Sequence, residues 1–260
     1  MNDTVQDIVH NPGALLPKRH IFLLSHMRAY SSLLGHIFGS NPAICGYYEM
    51  HIGYHSWKSL LRQKLLYFRD EPPKPGYKSM FDKVLHNDHA VAANILNHPR
   101  VSVIFALRPP QQTVPSIVKL YRSTDPTHDF SDATFSAHYY IRRLQELERL
   151  ASQCRQDFFY LDAEALKEAP DTALAALTSW LQLKEPLSPD YQLQSKTSAQ
   201  RYGDSSAALR SGHIETRASR YDTAEIAPEL LREATETFQN VRATLAGSSA
   251  VSILAGDKNQ

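Results

Sequence analysis

The segment Val101-Ser102-Val103-Ile104-Phe105-Ala106-Leu107 constrains the fold more than any other part of the chain. It is apolar almost throughout, rich in β-branched residues and bounded by Pro99 and Pro109. A strand with one wet face alternates apolar and polar residues. An unbroken apolar run suits a strand covered on both faces. His20-Ile21-Phe22-Leu23-Leu24-Ser25 has the same character, and so does Asp157-Phe158-Phe159-Tyr160-Leu161. Shorter strands are expected near 43–48 and 76–81. Helical periods separate these runs. Leu33, Leu34, Ile37 and Phe38 share a face over 31–39, and Val114, Ile117, Val118 and Tyr121 share one over 111–121. Ile141, Leu144, Leu147 and Leu150 do so over 132–153, and further helices are expected at 163–168, 170–183 and 226–246. Strands alternating with helices predict an α/β fold, a mostly parallel central sheet flanked by helices.

Residues 1–18 are polar and carry Asn11-Pro12-Gly13 and Pro17, so a flexible lead-in is expected there. Residues 19–246 make a single domain, and the tail 247–260 is expected to fray. Segment 184–224 has few apolar anchors, and a loop that long in a compact domain usually serves as a lid or binding loop. A length of 260 residues, 42% hydrophobic and 21% charged, is an ordinary globular balance. The net charge of +1 provides no overall field to recruit nucleic acid or an anionic membrane. Any anion site must therefore be built locally. Cys45 and Cys154 are the only cysteines, which argues against a disulfide scaffold and fits a reducing compartment. No basic-then-apolar leader is visible, and no run approaches the ~18 apolar residues of a spanning helix. A soluble cytoplasmic protein without a membrane span is the expectation.

Parallel α/β sheets bind ligands beyond the carboxyl ends of their strands, which directs attention to 25–33 and 108–116. In the first, Arg28-Ala29-Tyr30-Ser31-Ser32-Leu33 places a cation and two hydroxyls where a strand turns into a helix. The N–H groups and dipole of the helix start favour an anion there, and Arg28 adds charge-assisted bonds. The plain alternative is that Ser31 caps the helix and Arg28 is a surface residue. No G-x-x-x-x-G-K-[ST] and no G-x-G-x-x-G occurs, so neither an ordinary ATP or GTP loop nor a dinucleotide fingerprint is present. In the second segment, Arg108 leaves the end of a central strand and Ser116 follows about two helical turns later. Both can hold one phosphate.

The first run resembles the 5′-phosphosulfate loop of sulfotransferases that use 3′-phosphoadenosine 5′-phosphosulfate, [RK]-S-G-[ST]-[ST]-x. Ala29 stands for the usual Ser and Tyr30 for the usual Gly. A Gly there can adopt a positive φ, so either the loop differs in shape or Tyr30 is strained. The Arg108–Ser116 pair is similar in type and spacing to the residues that bind the 3′-phosphate in that family. Glu164-Ala165-Leu166-Lys167-Glu168-Ala169-Pro170, with Trp180-Leu181-Gln182-Leu183 after it, looks like the family's E-D-L-x-x-x-P…F-L-G-L stretch. Ala163 stands where the family often has an aromatic near the adenine. Arg201-Tyr202-Gly203-Asp204 resembles the C-terminal G-D segment, which makes Lys196, Arg201 and Arg210 candidates for the 3′-phosphate.

The resemblance implies a P-loop-like sulfotransferase architecture and sulfuryl transfer to a hydroxyl of a small molecule, lipid or carbohydrate, leaving 3′-phosphoadenosine 5′-phosphate. It implies that Arg28 stabilises sulfuryl charge and that Ser31 and Ser32 hold the 5′-phosphate. Such a transfer passes through a loose, in-line transition state like that of phosphoryl transfer, so fixed cations can suffice and no metal is expected. The acceptor hydroxyl needs a base. Glu49 lies beside the loop where some members have a catalytic glutamate, and His51 is the rival; in an extended segment both point the same way. A P-loop-like kinase of a small molecule is the nearest alternative. A zinc hydrolase built on His51, His55, His86 and His89 is another, although HIGYH lacks the Glu of H-E-x-x-H.

Overall fold

In the computed structural model, residues 3–197, 207–216 and 226–256 are described. Six strands, β1 Arg19–Leu24, β2 Ile44–Cys45, β3 Ser79–Val84, β4 Val101–Leu107, β5 Phe159–Asp162 and β6 Val251–Ile253, form one sheet in the order β2-β3-β1-β4-β5-β6. Every pairing in it is parallel. The helices are α1 Asp3–His10, α2 Ser31–Ser40, α3 Trp57–Asp70, α4 Ala93–Leu96, α5 Pro110–Thr124, α6 Ala133–Gln153, α7 Ala165–Glu168, α8 Pro170–Trp180, α9 Ala207–Arg210 and α10 Pro228–Ser248.

The unbroken apolar runs have the expected cause. Phe22 and Leu24 of β1 join Val103, Phe105 and Leu107 of β4 in a core closed by α5, α6 and α10. Ile21 and Leu23 point the other way, with Ile104 and Ala106, into a core closed by α2 and α8. Successive side chains alternate faces, and here both faces are covered. β1 and β4 lie side by side at the centre, so the loops after them open onto one crevice.

Two glycines let the segment after β2 pack closely against α2 on one side and β3 on the other. A Cβ on Gly35 would stand 2.2 Å from the Tyr47 carbonyl oxygen. Gly46 has φ +107°, and a Cβ there would stand 2.2 Å from the Phe81 carbonyl oxygen.

Both ends of the chain depart from expectation. The lead-in is α1 followed by a 3-10 turn, Pro12–Leu15, with Ala14 fully buried and Asp7 accepting from the Arg69 guanidinium of α3. The tail does not simply fray, because Val251–Ile253 adds β6 to the edge of β5. The strand expected at 76–81 begins only at Ser79 and runs to Val84. Among the described residues no helix is long and apolar enough to cross a membrane.

Candidate active site

The loop between β1 and α2 is bent by two residues of left-handed backbone, Arg28 at φ 64° and Tyr30 at φ 54°. Tyr30 therefore keeps the positive φ for which glycine is the usual choice. The geometry costs a non-glycine residue about 1–2 kcal/mol, and its phenol is anchored in compensation. Arg108 donates to the phenol oxygen at 2.7 Å, the phenol donates to Glu164 at 3.2 Å, and the Arg108 guanidinium lies 4.3 Å from the ring centre. The Tyr30 carbonyl accepts the first helical bond, from Leu34. Ser31 and Ser32 are buried in the first turn of α2 and Ala29 is buried beside them; Leu33 is half-buried.

Beneath the loop, His26 joins the two segments singled out by sequence. Its Nε2 accepts the Arg108 backbone N–H at 3.0 Å, so the proton sits on Nδ1 and is donated to the Met27 carbonyl at 2.9 Å. Burial pushes the His26 pKa down to about 3, which keeps this tautomer neutral. Arg108 also donates to the Arg28 carbonyl at 3.0 Å and to Glu164 at 2.6 Å. Arg28 itself donates from Nε to the Ser116 hydroxyl at 2.9 Å. Arg28, Arg108 and Ser116 are thus brought together, although Ser116 bonds to Arg28 rather than to Arg108.

Sequence reasoning passed over Lys83. Lys83, 1% exposed, lies opposite Leu23 near the end of β3 and donates to the Ser32 hydroxyl at 3.0 Å. A lysine inside an otherwise buried strand is the signal that could have found it, since such a group needs a polar partner. Lys167 lies 5.4 Å from the Tyr30 ring centre. Arg28, Lys83, Arg108 and Lys167 stand against Glu164, a local positive excess in a chain of net charge +1.

Glu49 and His51 do meet, by a route different from simple alternation. His51 has φ 52°, so the segment turns, and its Nδ1 comes to 4.0 Å from Glu49 Oε1. Buried Glu49 accepts the Leu85 backbone N–H at 3.2 Å. The Leu85 carbonyl accepts from the Tyr139 hydroxyl at 2.9 Å, which accepts from the Met27 N–H at 3.0 Å. This chain of bonds ties the glutamate to the Arg28 loop. Asp82 fixes the same segment through the backbone N–H groups of Met50 and Lys83 and the hydroxyl of Tyr54; burial pushes its pKa up to about 8. Buried Arg143 donates to the carbonyls of Ser25 and Val84 and to the Asn87 side chain, locking the ends of β1 and β3.

Other expected residues are dispersed. Lys196 pairs with Asp70 and lies 4.6 Å from the Tyr48 ring centre. Arg210 is exposed at the end of α9, and Arg201 lies outside the described residues. Thr197 hydrogen-bonds His36 Nε2 at 2.9 Å, while His36 Nδ1 meets the Ser32 carbonyl at 2.8 Å, so this stretch leans on the start of α2. The four-histidine cluster does not form as envisaged. His51 packs against His89, with ring centres 5.5 Å apart, whereas the exposed His55 offers its backbone N–H to Ser59.

No family model and no curated protein matches the sequence. Among solved structures, a sulfotransferase domain from the curacin biosynthetic pathway superposes with a TM-score of 0.54 at 15% identity, over 85% of this chain and 97% of that one. Retinol dehydratase in a complex with retinol and PAP gives 0.47 at 10% identity over 92% and 86% of the two chains. Sulfotransferase STF9 from Mycobacterium avium gives 0.43 at 14% identity over 95% and 81%. With its parallel six-stranded sheet and the loop-to-helix turn at the end of its central strand, the chain has the sulfotransferase fold.

Proposed function

We propose that the protein transfers a sulfuryl group from 3′-phosphoadenosine 5′-phosphosulfate to a hydroxyl group of an acceptor. The observation that carries this is the convergence of Arg28, Arg108 and Ser116 at the carboxyl ends of β1 and β4. Buried cations, hydroxyls and a helix start suit a ligand carrying anionic groups at two positions. Ser31, Ser32 and Lys83 would hold the 5′-phosphate, and Arg108 and Ser116 the 3′-phosphate. The donor supplies an activated sulfuryl group whose leaving group is a nucleotide bisphosphate.

The remaining demands fall on the chain's own residues. Arg28 offsets negative charge on the sulfuryl oxygens as the sulfur passes from one oxygen to the other. The acceptor oxygen–sulfur bond forms, the bond to the phosphate oxygen breaks, and the acceptor proton goes to Glu49, with His51 beside it as the rival base. The left-handed backbone at Tyr30 supports the same reading, since it preserves the loop shape in the absence of glycine.

The test is thermal stability with 3′-phosphoadenosine 5′-phosphate, without added metal, followed by labelled-sulfate transfer to pools of alcohols and carbohydrates. The nucleotide raises the melting temperature in a concentration-dependent way. Absence of a shift at millimolar concentration, or a shift only with ATP and Mg²⁺, sinks the proposal in favour of a kinase or another activity.

A further inference from the structure

The carboxylate of Glu49 and the imidazoles of His51 and His89 each offer one ligand atom, and the three atoms lie within 4.8 Å of one another. We propose that these residues form a binding site for a divalent transition-metal ion of the zinc class, at the edge of the cleft. Two imidazoles and a carboxylate are a donor set that suits zinc, and three protein ligands leave a coordination position open. Zinc bonds of about 2.0–2.1 Å in tetrahedral geometry require ligand atoms roughly 3.4 Å apart. His51 Nδ1 and Glu49 Oε1 are 4.0 Å apart and no pair among the three ligand atoms exceeds 4.8 Å, so side-chain rotations that draw them in by about 1 Å close the set.

The surroundings favour a site over an accidental cluster. The ligands come from two separate segments, Glu49 and His51 after β2 and His89 after β3. Glu49 is buried and oriented by the Leu85 N–H, the kind of outer hydrogen bond that fixes a ligating carboxylate. The backbone of the adjoining Met50 is pinned to Asp82 at 3.0 Å. His51 is exposed and His89 half-buried, so an ion can enter from solvent.

Metal binding is independent of what the protein catalyses. Its consequence rests on the sulfuryl-transfer proposal: an ion on Glu49 occupies the group that takes the acceptor proton, so occupancy and transfer exclude each other. The ion is a blocker of this centre, and His89 is the ligand that serves it alone.

The experiment uses the full chain stripped with chelator and titrated with zinc by calorimetry, with circular dichroism confirming that each variant is folded. One zinc per chain is expected for the native sequence, with affinity at least tenfold weaker in His89→Ala and in Glu49→Gln. Absence of stoichiometric zinc binding, or native-like binding by His89→Ala, overturns the site. In the transfer assay zinc inhibits the native chain at least tenfold, whereas His89→Ala keeps metal-free turnover and escapes inhibition. Equal zinc inhibition of both proteins overturns the blocking role. If no transfer is found at all, the calorimetric arm alone judges the site, so its failure is distinct from failure of the proposed activity.

Discussion

Arg28 and Ser116, separated by 88 positions in the chain, meet in a hydrogen bond of 2.9 Å across the gap between the β1 loop and α5. One bond therefore links the group proposed to stabilise sulfuryl charge with a group proposed to hold the far phosphate. Arg28→Ala is expected to lower turnover by about 10²–10³-fold, as loss of a charge-stabilising donor does elsewhere. Ser116→Ala should cost less, about tenfold, and the double variant should fall short of the product of the two, because groups in contact couple. Strictly multiplicative losses would show that the bond carries no functional coupling.

Tyr30 offers a test in stability rather than activity. Both Tyr30→Gly and Tyr30→Ala lose the phenol bonds to Arg108 and Glu164. Only glycine is at ease at φ 54°. Tyr30→Gly should therefore be more stable than Tyr30→Ala by about 1 kcal/mol in urea unfolding. Tyr30→Phe keeps the ring and loses only the hydroxyl bonds, at an expected cost of about 1.5–3 kcal/mol. Equal stabilities for the glycine and alanine variants would remove the argument from backbone conformation.

The acid limb of stability should carry a histidine signature. Burial pushes His20 down to about 4 and His26 down to about 3. In the unfolded chain both take up protons near pH 6.5, while the folded chain resists. Their contribution is fully present above pH 6.5 and is lost as pH falls, towards 4 for His20 and 3 for His26. At pH 5.5 the loss is about 1.4 kcal/mol per histidine relative to pH 8. The difference in unfolding free energy between those two pH values should shrink by that amount in His20→Gln. An unchanged difference would mean that His20 titrates alike in both states.

Arg143 should prove costly to replace. It is buried and donates to two backbone carbonyls and one amide oxygen at the ends of β1 and β3. Arg143→Met takes the guanidinium from the Ser25 carbonyl and leaves the Val84 carbonyl only the Ser25 N–H, at an expected cost of about 1–3 kcal/mol. Arg143→Lys should fall between, because one ammonium does not span all three acceptors. Loss below 1 kcal/mol for the methionine variant would show that solvent or another group takes over the carbonyls.

Much of this architecture was legible because burial writes itself into residue order. Ile21 and Leu23 need one covered face and Phe22 and Leu24 the other, so the central strands announced themselves, and β4 runs over the expected 101–107. β6 gave no such signal: it is short, has Ser252 in the middle and sits at the sheet edge. Arg28, Arg108 and Ser116 were visible as polar residues after apolar runs. Lys83 was hidden inside a strand, and nothing in the local order around His26 singled it out. The role of His26 exists only through a bond to Arg108, 82 positions away. Lys196 was drawn from a loop whose local order says nothing of Asp70, its ion-pair partner.

The His26 bond also has a consequence in time. A loop closed by its own helix would take shape as soon as that helix formed. This loop takes its shape from Arg108, Tyr139 and Arg143, which lie 82, 112 and 118 positions from the residues they hold. Contacts that distant in sequence carry the entropy cost of closing a long loop and cannot form from local structure alone. The anion cradle therefore needs the chain through α6 to be in place, and a truncated chain ending before α6 lacks two of its three anchors.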